Sequence, residues 1–279
     1  MNNHLYPCLW FDGQAKAAAD FYSTAFNQVK IVSDTPMMVI FEIEGKKIMG
    51  LNGGPMFSIN PSISLFVTYP DGAKIDALWQ KLSEGGSALI PLGQYPWAEK
   101  YGWVKDQFGV TWQLMQGEVP PHGQTITTSF LFANAQLGRA QEAIDFYTGI
   151  FPNSVKHHME LYKAGEPQPE GLLKFGHFTI NGETMAAMDG PGDHQFVFGE
   201  GFSIVVDCET QAEIDLYWDK LTDGGQESQC GWLKDRFGVS WQIVPKVLGK
   251  LMTDPEKAPR VMAAFMKMKK FDIAALMEA

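Results

Sequence analysis

Basic residues are scarce in this chain. Only 22 Lys and Arg stand against 32 Asp and Glu among 279 residues, a formal charge of −10. A nucleic-acid binder needs a basic footprint to displace counterions from phosphate, and a peripheral membrane protein needs one for anionic headgroups, so the balance argues against both. Cysteine is nearly absent too. Cys8, Cys208 and Cys230 are odd in number, far apart and never in a CxxC, which leaves no disulfide framework, zinc knuckle or thioredoxin motif. No apolar run approaches the roughly 18 residues of a membrane span. The start, MNNHLYPCLWFDG, lacks a basic segment followed by an apolar one, so no signal peptide is expected. These absences lead to the expectation of a cytoplasmic protein. With 45% hydrophobic residues there is ample material for a core, and the length suggests two domains or one large one.

What is present is an internal repeat. YGWVKDQFGVTWQL (101–114) and CGWLKDRFGVSWQI (230–243) share 9 of 14 positions. IDALWQKLSEGG (75–86) matches IDLYWDKLTDGG (214–225), and ADFYSTAF (19–26) matches IDFYTGIF (144–151). Weaker matches join GLNGGP (50–55) to AMDGP (187–191), and SLFVT (64–68) to SIVVD (203–207). The blocks recur in one order, which chance similarity does not produce. The reading is a tandem duplication: module 1 over 1–118, a Pro- and Gly-bearing linker over 119–124, module 2 over 125–248 and a tail over 249–279. Module 2 is shorter between Gly225 and Gly231, where module 1 carries SALIPLGQYPWAEK (87–100). Charge is uneven, with net −3 over 1–120 and −8 over 121–250.

Each copy has the same expected order. A short apolar strand leads into a helix with aromatic anchors, then come two strands around a Gly turn (EGKK or NGET), a further strand, a second helix stopped by GG, and a hairpin turning at D-x-F-G. The tail offers a helix start near Thr253 or Asp254, an apolar stripe of Val261, Met262, Phe265, Met266 and Met268, and a second start at Asp272. It is expected to pack on its own module or to bridge to a second subunit.

The openings PCLWFDGQAKAAADFYSTAF and FLFANAQLGRAQEAIDFYTGIF and the endings KDQFGVTWQL and KDRFGVSWQI resemble the PhnB-like branch of the vicinal oxygen chelate superfamily. That branch is often labelled 3-demethylubiquinone 3-methyltransferase-like. The superfamily also holds glyoxalase I, extradiol dioxygenases and bleomycin-resistance proteins. The resemblance spans residues 4–248. It implies an α+β fold of two tandem βαβββ modules forming an open curved sheet barrel, plus the C-terminal helical tail.

In metal-using members of that superfamily each module gives two ligands, one usually His near the start of the first strand and one usually Glu in the last strand. Here the last-strand positions map onto Gln113 and Gln242, and the first-strand positions fall near Pro7 and Ser129. Proline has no side-chain donor and an amide is a weak ligand. No cofactor is therefore predicted, with a divalent metal held by other residues as the alternative. His4 and His122 read as surface residues and His194 as a loop residue, while His157 and His158, adjacent in SVKHHMEL, could coordinate a metal only in concert with distant residues. On strand alternation, Phe175, His177 and Thr179 share one face of KFGHFTI, and Met38, Ile40 and Glu42 share one face of MVIFEI. The opposite, wholly apolar faces suit a helix layer, so the mixed faces would line a cavity. Glu42 and His177 are the candidate catalytic groups. Gln113, Gln242, Trp103, Trp232, Met38 and Phe175 are the candidate ligand contacts. The alternative for Glu42 and His177 is simple exposure at a strand edge.

Asp106 and Asp235 recur beside Lys105 and Lys234, a pairing open to acid–base chemistry but better suited to holding the hairpin turn through its amides. No G-x-G-x-x-G or G-x-S-x-G occurs, so the residues do not support methyl transfer from a nucleotide-type donor. The expected function is binding of a small aromatic or apolar ligand in a metal-free cavity, with sequestration, as in bleomycin-resistance relatives, as one form of it. The alternative is a metal-dependent lyase, isomerase or dioxygenase. The expected partners are a small molecule and a second copy joined through the tail, with no nucleic acid and no membrane.

Overall fold

The computed structural model describes residues 5–119 and 124–279. His4, His122 and most of the expected linker lie outside the described residues. Two compact units emerge, a larger one of Pro7–Phe202 and a smaller one of Ser203–Ala279 with Leu5 and Tyr6. The unit boundary therefore does not coincide with the boundary between the sequence repeats.

In the larger unit a β-α-β-β-β run occurs three times. The first is β1 (Leu5–Phe11, from Pro7 onward in this unit), α1 (Ala15–Ala25), β2 (Val29–Asp34), β3 (Met38–Ile43) and β4 (Lys46–Asn52). The second is β5 (Ile63–Tyr69), α2 (Gly72–Leu82), β6 (Ser87–Tyr95), β7 (Ala98–Lys105) and β8 (Thr111–Gln116). The third is β9 (Ile126–Ala133), α3 (Ala140–Ile150), β10 (Val155–Leu161), β11 (Leu173–Ile180) and β12 (Glu183–Gly190). In the smaller unit β13 (Phe202–Cys208, from Ser203 onward in this unit), α4 (Gln211–Leu221), β14 (Gln226–Glu227), β15 (Trp232–Lys234) and β16 (Ser240–Pro245) repeat the run. Three short helices follow: α5 (Lys246–Met252), α6 (Ala258–Phe265) and α7 (Ile273–Glu278).

The α+β class, the tandem modules and the helical tail are as the sequence reads. Each tandem module, however, contains the β-α-β-β-β run twice. The strands absent from the sequence reading are β2, β6, β10 and β14. All are terminal strands in their sheet order. β2 alternates half-buried and exposed residues, and β10 is exposed at nearly every position, so neither carries an apolar run.

β10-β11-β12-β9-β5-β8-β7-β6 form one eight-stranded sheet. At its centre β5 of the first copy pairs antiparallel with β9 of the second, with Ile63 opposite Phe130 and Ser64 opposite Ser129. The two copies thus pair within one chain. Every residue of β5 is buried, as expected for a central strand covered on both faces. The first run gives β1-β4-β3-β2, with β1 and β4 parallel.

The helices bury an i, i+3, i+4, i+7 stripe: Ala15, Ala18, Ala19 and Tyr22 in α1, and Ala140, Ala143, Ile144 and Tyr147 in α3. Neither has a cap from its own N-terminal residue. The cap comes from the end of a distant strand. Asn52 Oδ1 accepts Ala15 N–H at 2.9 Å, and at the equivalent repeat position Asp189 Oδ1 accepts Gly138 N–H at 2.7 Å. Asp189 Oδ2 also accepts Leu173 N–H at 2.8 Å, and burial raises this carboxyl above its ordinary range. α2 and α4 are capped locally, by Asp71 and by a Thr210–Glu213 capping box.

Turns and ends of the larger unit are joined by buried polar contacts. Lys46 on β4 pairs with Glu183 on β12, both buried, and Gln124 accepts Thr184 N–H at 2.9 Å. In the smaller unit the tail packs on its own module. Lys270 lies 2.9 Å from Asp215, and Gln211 binds Phe271 O and Ile273 N at 3.0 and 2.9 Å. Cys230 and Gly231 N–H donate to Met268 and Lys269 O at 2.8 and 2.7 Å. Asp272 caps α7, as its sequence position suggested. Val261, Phe271 and Leu276 are buried, whereas Met266 of the expected stripe is 60% exposed.

Candidate functional site

The helices cover one face of the eight-stranded sheet. A Cβ on Gly102 would meet the Trp79 ring of α2 at 2.6 Å, and one on Gly176 would meet Ile144 of α3 at 3.4 Å. Trp103, Phe175 and His177, one residue away, therefore point to the other face. Strand register extends that face across the sheet. Trp103 on β7 is opposite Gln113 on β8, Ser64 on β5 is opposite Ser129 on β9, Ser129 is beside Ala186 on β12, and Ala186 is opposite His177 on β11.

Its centre is polar and buried. Gln113 Nε2 donates to Ser64 Oγ at 2.6 Å, and the Tyr101 hydroxyl donates to Gln113 Oε1 at 2.7 Å. Burial, reinforced by Tyr95, pushes the Tyr101 phenol well above its usual range, so it stays a donor and fixes the amide's orientation. Ser129 Oγ and Trp103 Nε1 are buried without a hydrogen-bond partner. Its flank is aromatic. Exposed Trp97 stacks on Tyr95 (centroids 5.1 Å), Tyr95 meets Tyr101 edge-on (5.9 Å), and Tyr101 lies 6.4 Å from Phe66. Phe66 lies 5.4 Å from Phe175, which meets His177 edge-on at 4.8 Å. The β6–β7 hairpin that starts this track is far longer than its counterpart in module 2, the β14–β15 hairpin.

Four of the eight sequence candidates, Gln113, Trp103, Phe175 and His177, thus share one face. Glu42 and Met38 stand on β3, in the β1-β4-β3-β2 run, and are not on the sheet that carries His177. Their side of β3 is the one expected, since Val39, Phe41 and Ile43 are buried and Phe41 lies 5.9 Å from Tyr22 of α1. Glu42 is flanked across the ladder by Lys30 and Lys47. Gln242 and Trp232 lie in the smaller unit. They repeat the first-copy pattern, with Trp232 opposite Gln242 and Gln242 Nε2 donating to Ser203 Oγ at 2.9 Å. Cys230 stands where the first copy has Tyr101, so the amide-fixing phenol is a feature of one copy.

Sequence reasoning passed over Ser64, Tyr101 and Phe66. The recurrence of Ser in SLFVT and SIVVD together with Gln in TWQL and SWQI was the available signal. The first-strand position is also corrected by one residue. Phe11 pairs with Asn52 as Phe132 pairs with Asp189, so the counterpart of Ser129 is Cys8, and Pro7 points to the opposite face.

These residues do not fit a divalent metal. The donors around Ser129 are neutral hydroxyls and an amide already engaged at both ends, whereas such metals take imidazole, carboxylate or thiolate. Among the described residues no group of three or more His, Cys, Asp or Glu is placed so that it could hold a metal ion.

Asp106 has the turn-holding role. Its Oδ1 accepts Phe108 and Val110 N–H at 2.9 and 3.0 Å, and its Oδ2 accepts the Tyr22 hydroxyl and Trp112 Nε1–H, both at 2.9 Å. Asp235 does the same for Phe237, Val239 and Trp241.

The profile of the 3-demethylubiquinone-9 3-methyltransferase family matches residues 3–115 and again 124–244. The chain belongs to that family. The double match marks it as a tandem member of the 3-demethylubiquinone-9 3-methyltransferase family, PhnB-like in sequence. The PhnB protein of Bacillus cereus is 34% identical over 39% of this chain and 96% of its own, with a TM-score of 0.37. Glyoxalase I from Zea mays is 12% identical over 91% of this chain and 98% of its own, with a TM-score of 0.55, which shows a shared fold. No curated protein matches the chain. Among the described residues no helix is long and apolar enough to cross a membrane.

Proposed function

We propose that this family member binds a small, partly aromatic ligand on the helix-free face of the eight-stranded sheet, without a metal, and sequesters it. The observation that carries this reading is the pair of buried, unpartnered polar atoms, Ser129 Oγ and Trp103 Nε1, beside a continuous aromatic track. Buried polar groups are normally hydrogen-bonded, so an orphaned hydroxyl and an orphaned indole N–H next to ring faces suit a planar molecule that carries an acceptor. Phe175 and His177 would contact the ring, and Gln113, held by Tyr101 and Ser64, would form the polar floor.

The test is a thermal-shift screen against antibiotics, quinones and aldehyde–thiol adducts, since a ligand of the native state raises the midpoint. A hit should weaken on Ser129→Ala and Trp103→Phe. A hit unaffected by both, or no hit across the screen, counts against the reading. Stoichiometric transition metal in protein purified without chelators would favour a glyoxalase- or dioxygenase-type enzyme instead. On the same reading the protein is a cytoplasmic homodimer, joined by the tail's exposed Met266 and Met277. Light scattering on the full chain and on Met266→Glu tests that association.

A further inference from the structure

Apart from that sheet face, a cleft of about 630 Å³ opens in the larger unit where the end of β1 and the start of α1 meet the loop after β4 and the D-x-F-G turn. Its volume lies in the usual range of small-molecule pockets. Trp10, Phe57 and Phe108 give it an aromatic wall. Trp10 is pinned, with Nε1–H donating to Gly54 O at 2.7 Å and its ring edge-on to Phe57 at 4.9 Å. Asp106 also lines the cleft, but its carboxylate is already held by four donors.

Two opposite charges, Asp12 and Lys105, line the same cleft. Both are exposed, and neither side chain has a hydrogen-bond or ion-pair partner among the described residues. The duplicated frame does not require this pair. Strand register sets Ala133 opposite Gly190 where Asp12 follows Phe11, so the second copy keeps the lysine, as Lys234, and lacks the acid. A carboxylate and an ammonium that serve no internal contact, over an aromatic wall, match a molecule carrying the reverse charges.

We propose that this cleft is a separate binding site for a small zwitterion with an aromatic or apolar body, of the size of an α-amino acid or dipeptide. Its carboxylate faces Lys105, its ammonium faces Asp12, and its body rests on Trp10 and Phe57. Each charge contact is the kind strengthened by full ionisation of both partners.

Isothermal titration with L-phenylalanine, phenethylamine and 3-phenylpropionate tests the assignment charge by charge. L-Phenylalanine should bind about tenfold more tightly than either single-charge analogue. Lys105→Met should weaken L-phenylalanine and 3-phenylpropionate and leave phenethylamine unchanged, and Asp12→Asn should do the reverse. Ser129→Ala, on the sheet face, should alter none of the three, which separates this site from the one proposed above. Both charged residues are exposed, so an unchanged melting curve verifies the variants' fold. Absence of L-phenylalanine binding, binding no tighter than the analogues, or indifference to both charge substitutions overturns the proposal.

Discussion

Replacing Asp106 with Ala should be among the most damaging single changes in the larger unit. The carboxylate is buried and accepts four hydrogen bonds, two from amides of its own turn, one from Tyr22 on α1 and one from Trp112 on β8. It therefore ties a turn, a helix and a strand. Each donor left unpaired in the interior costs about 1–3 kcal/mol, partly offset because a buried charge no longer needs to be desolvated. The expected loss is about 3–5 kcal/mol, or roughly 10 °C in midpoint for a chain of this size. Asp106→Asn keeps the volume and the oxygen facing the two turn amides. It sets an N–H₂ against the Trp112 N–H, and should cost about 1–3 kcal/mol.

The pH dependence adds a signed test. Burial raises the Asp106 carboxyl above its ordinary range, more than its donors lower it. The folded state then holds this proton more tightly than the unfolded state. The contribution is fully present below the unfolded carboxyl value and is lost as pH rises through the folded one. Wild type should accordingly lose stability relative to Asp106→Asn across that acidic window. Urea unfolding of both proteins over a pH series measures the difference. A cost under about 1 kcal/mol for Asp106→Ala, or a gap that widens with pH, would refute the reasoning.

Lys46→Met should cost about 3–5 kcal/mol by stranding buried Glu183, and Lys46→Met with Glu183→Leu should recover most of it; failure of the double variant to recover would show that the pair does more than neutralise itself. Asn52→Ala removes the cap on α1 and should cost about 1 kcal/mol in urea unfolding. Asp189→Ala removes a group serving both α3 and β11 and should cost more than Asn52→Ala in the same assay; equal losses would show that the Leu173 contact is idle. Truncation after Lys250 deletes Val261, Phe271 and Leu276, each contributing about 1.5–3 kcal/mol of burial, and should lower the midpoint clearly; an unchanged midpoint would mean the tail is only laid on the surface.

The repeat, the helices and the central strands were legible because each carries a full apolar period. α1 and α3 show the same buried stripe, and β5 is buried along its whole length. β2 and β10 were not legible, since a terminal strand with one open side has no reason to concentrate apolar residues. The D-x-F-G aspartates were read correctly as turn anchors from Gly and amide chemistry alone. The site was half legible. Alternation set His177 and Phe175 on the helix-free face, but that Gln113 shares this face, while Glu42 sits on another sheet, depends on which strands become neighbours. That pairing is long-range, β5 with β9 across the two copies, and leaves no local mark in the sequence. The strand numbering of Pro7 slipped by one for a similar reason, since only pairing with β4 fixes which side of β1 is which.

The β5–β9 seam has a consequence for how the duplicated chain can change. A protein made of one copy would have to recruit a second chain to complete the same eight-stranded sheet, and both contributors would be identical. Joining the copies makes their encounter intramolecular and independent of concentration. It also releases each copy from having to serve both sides of the seam. The exchange of Tyr101 for Cys230, the long hairpin kept on one side only, and the tail docked on the other are divergences that an assembly of identical chains could not accumulate separately.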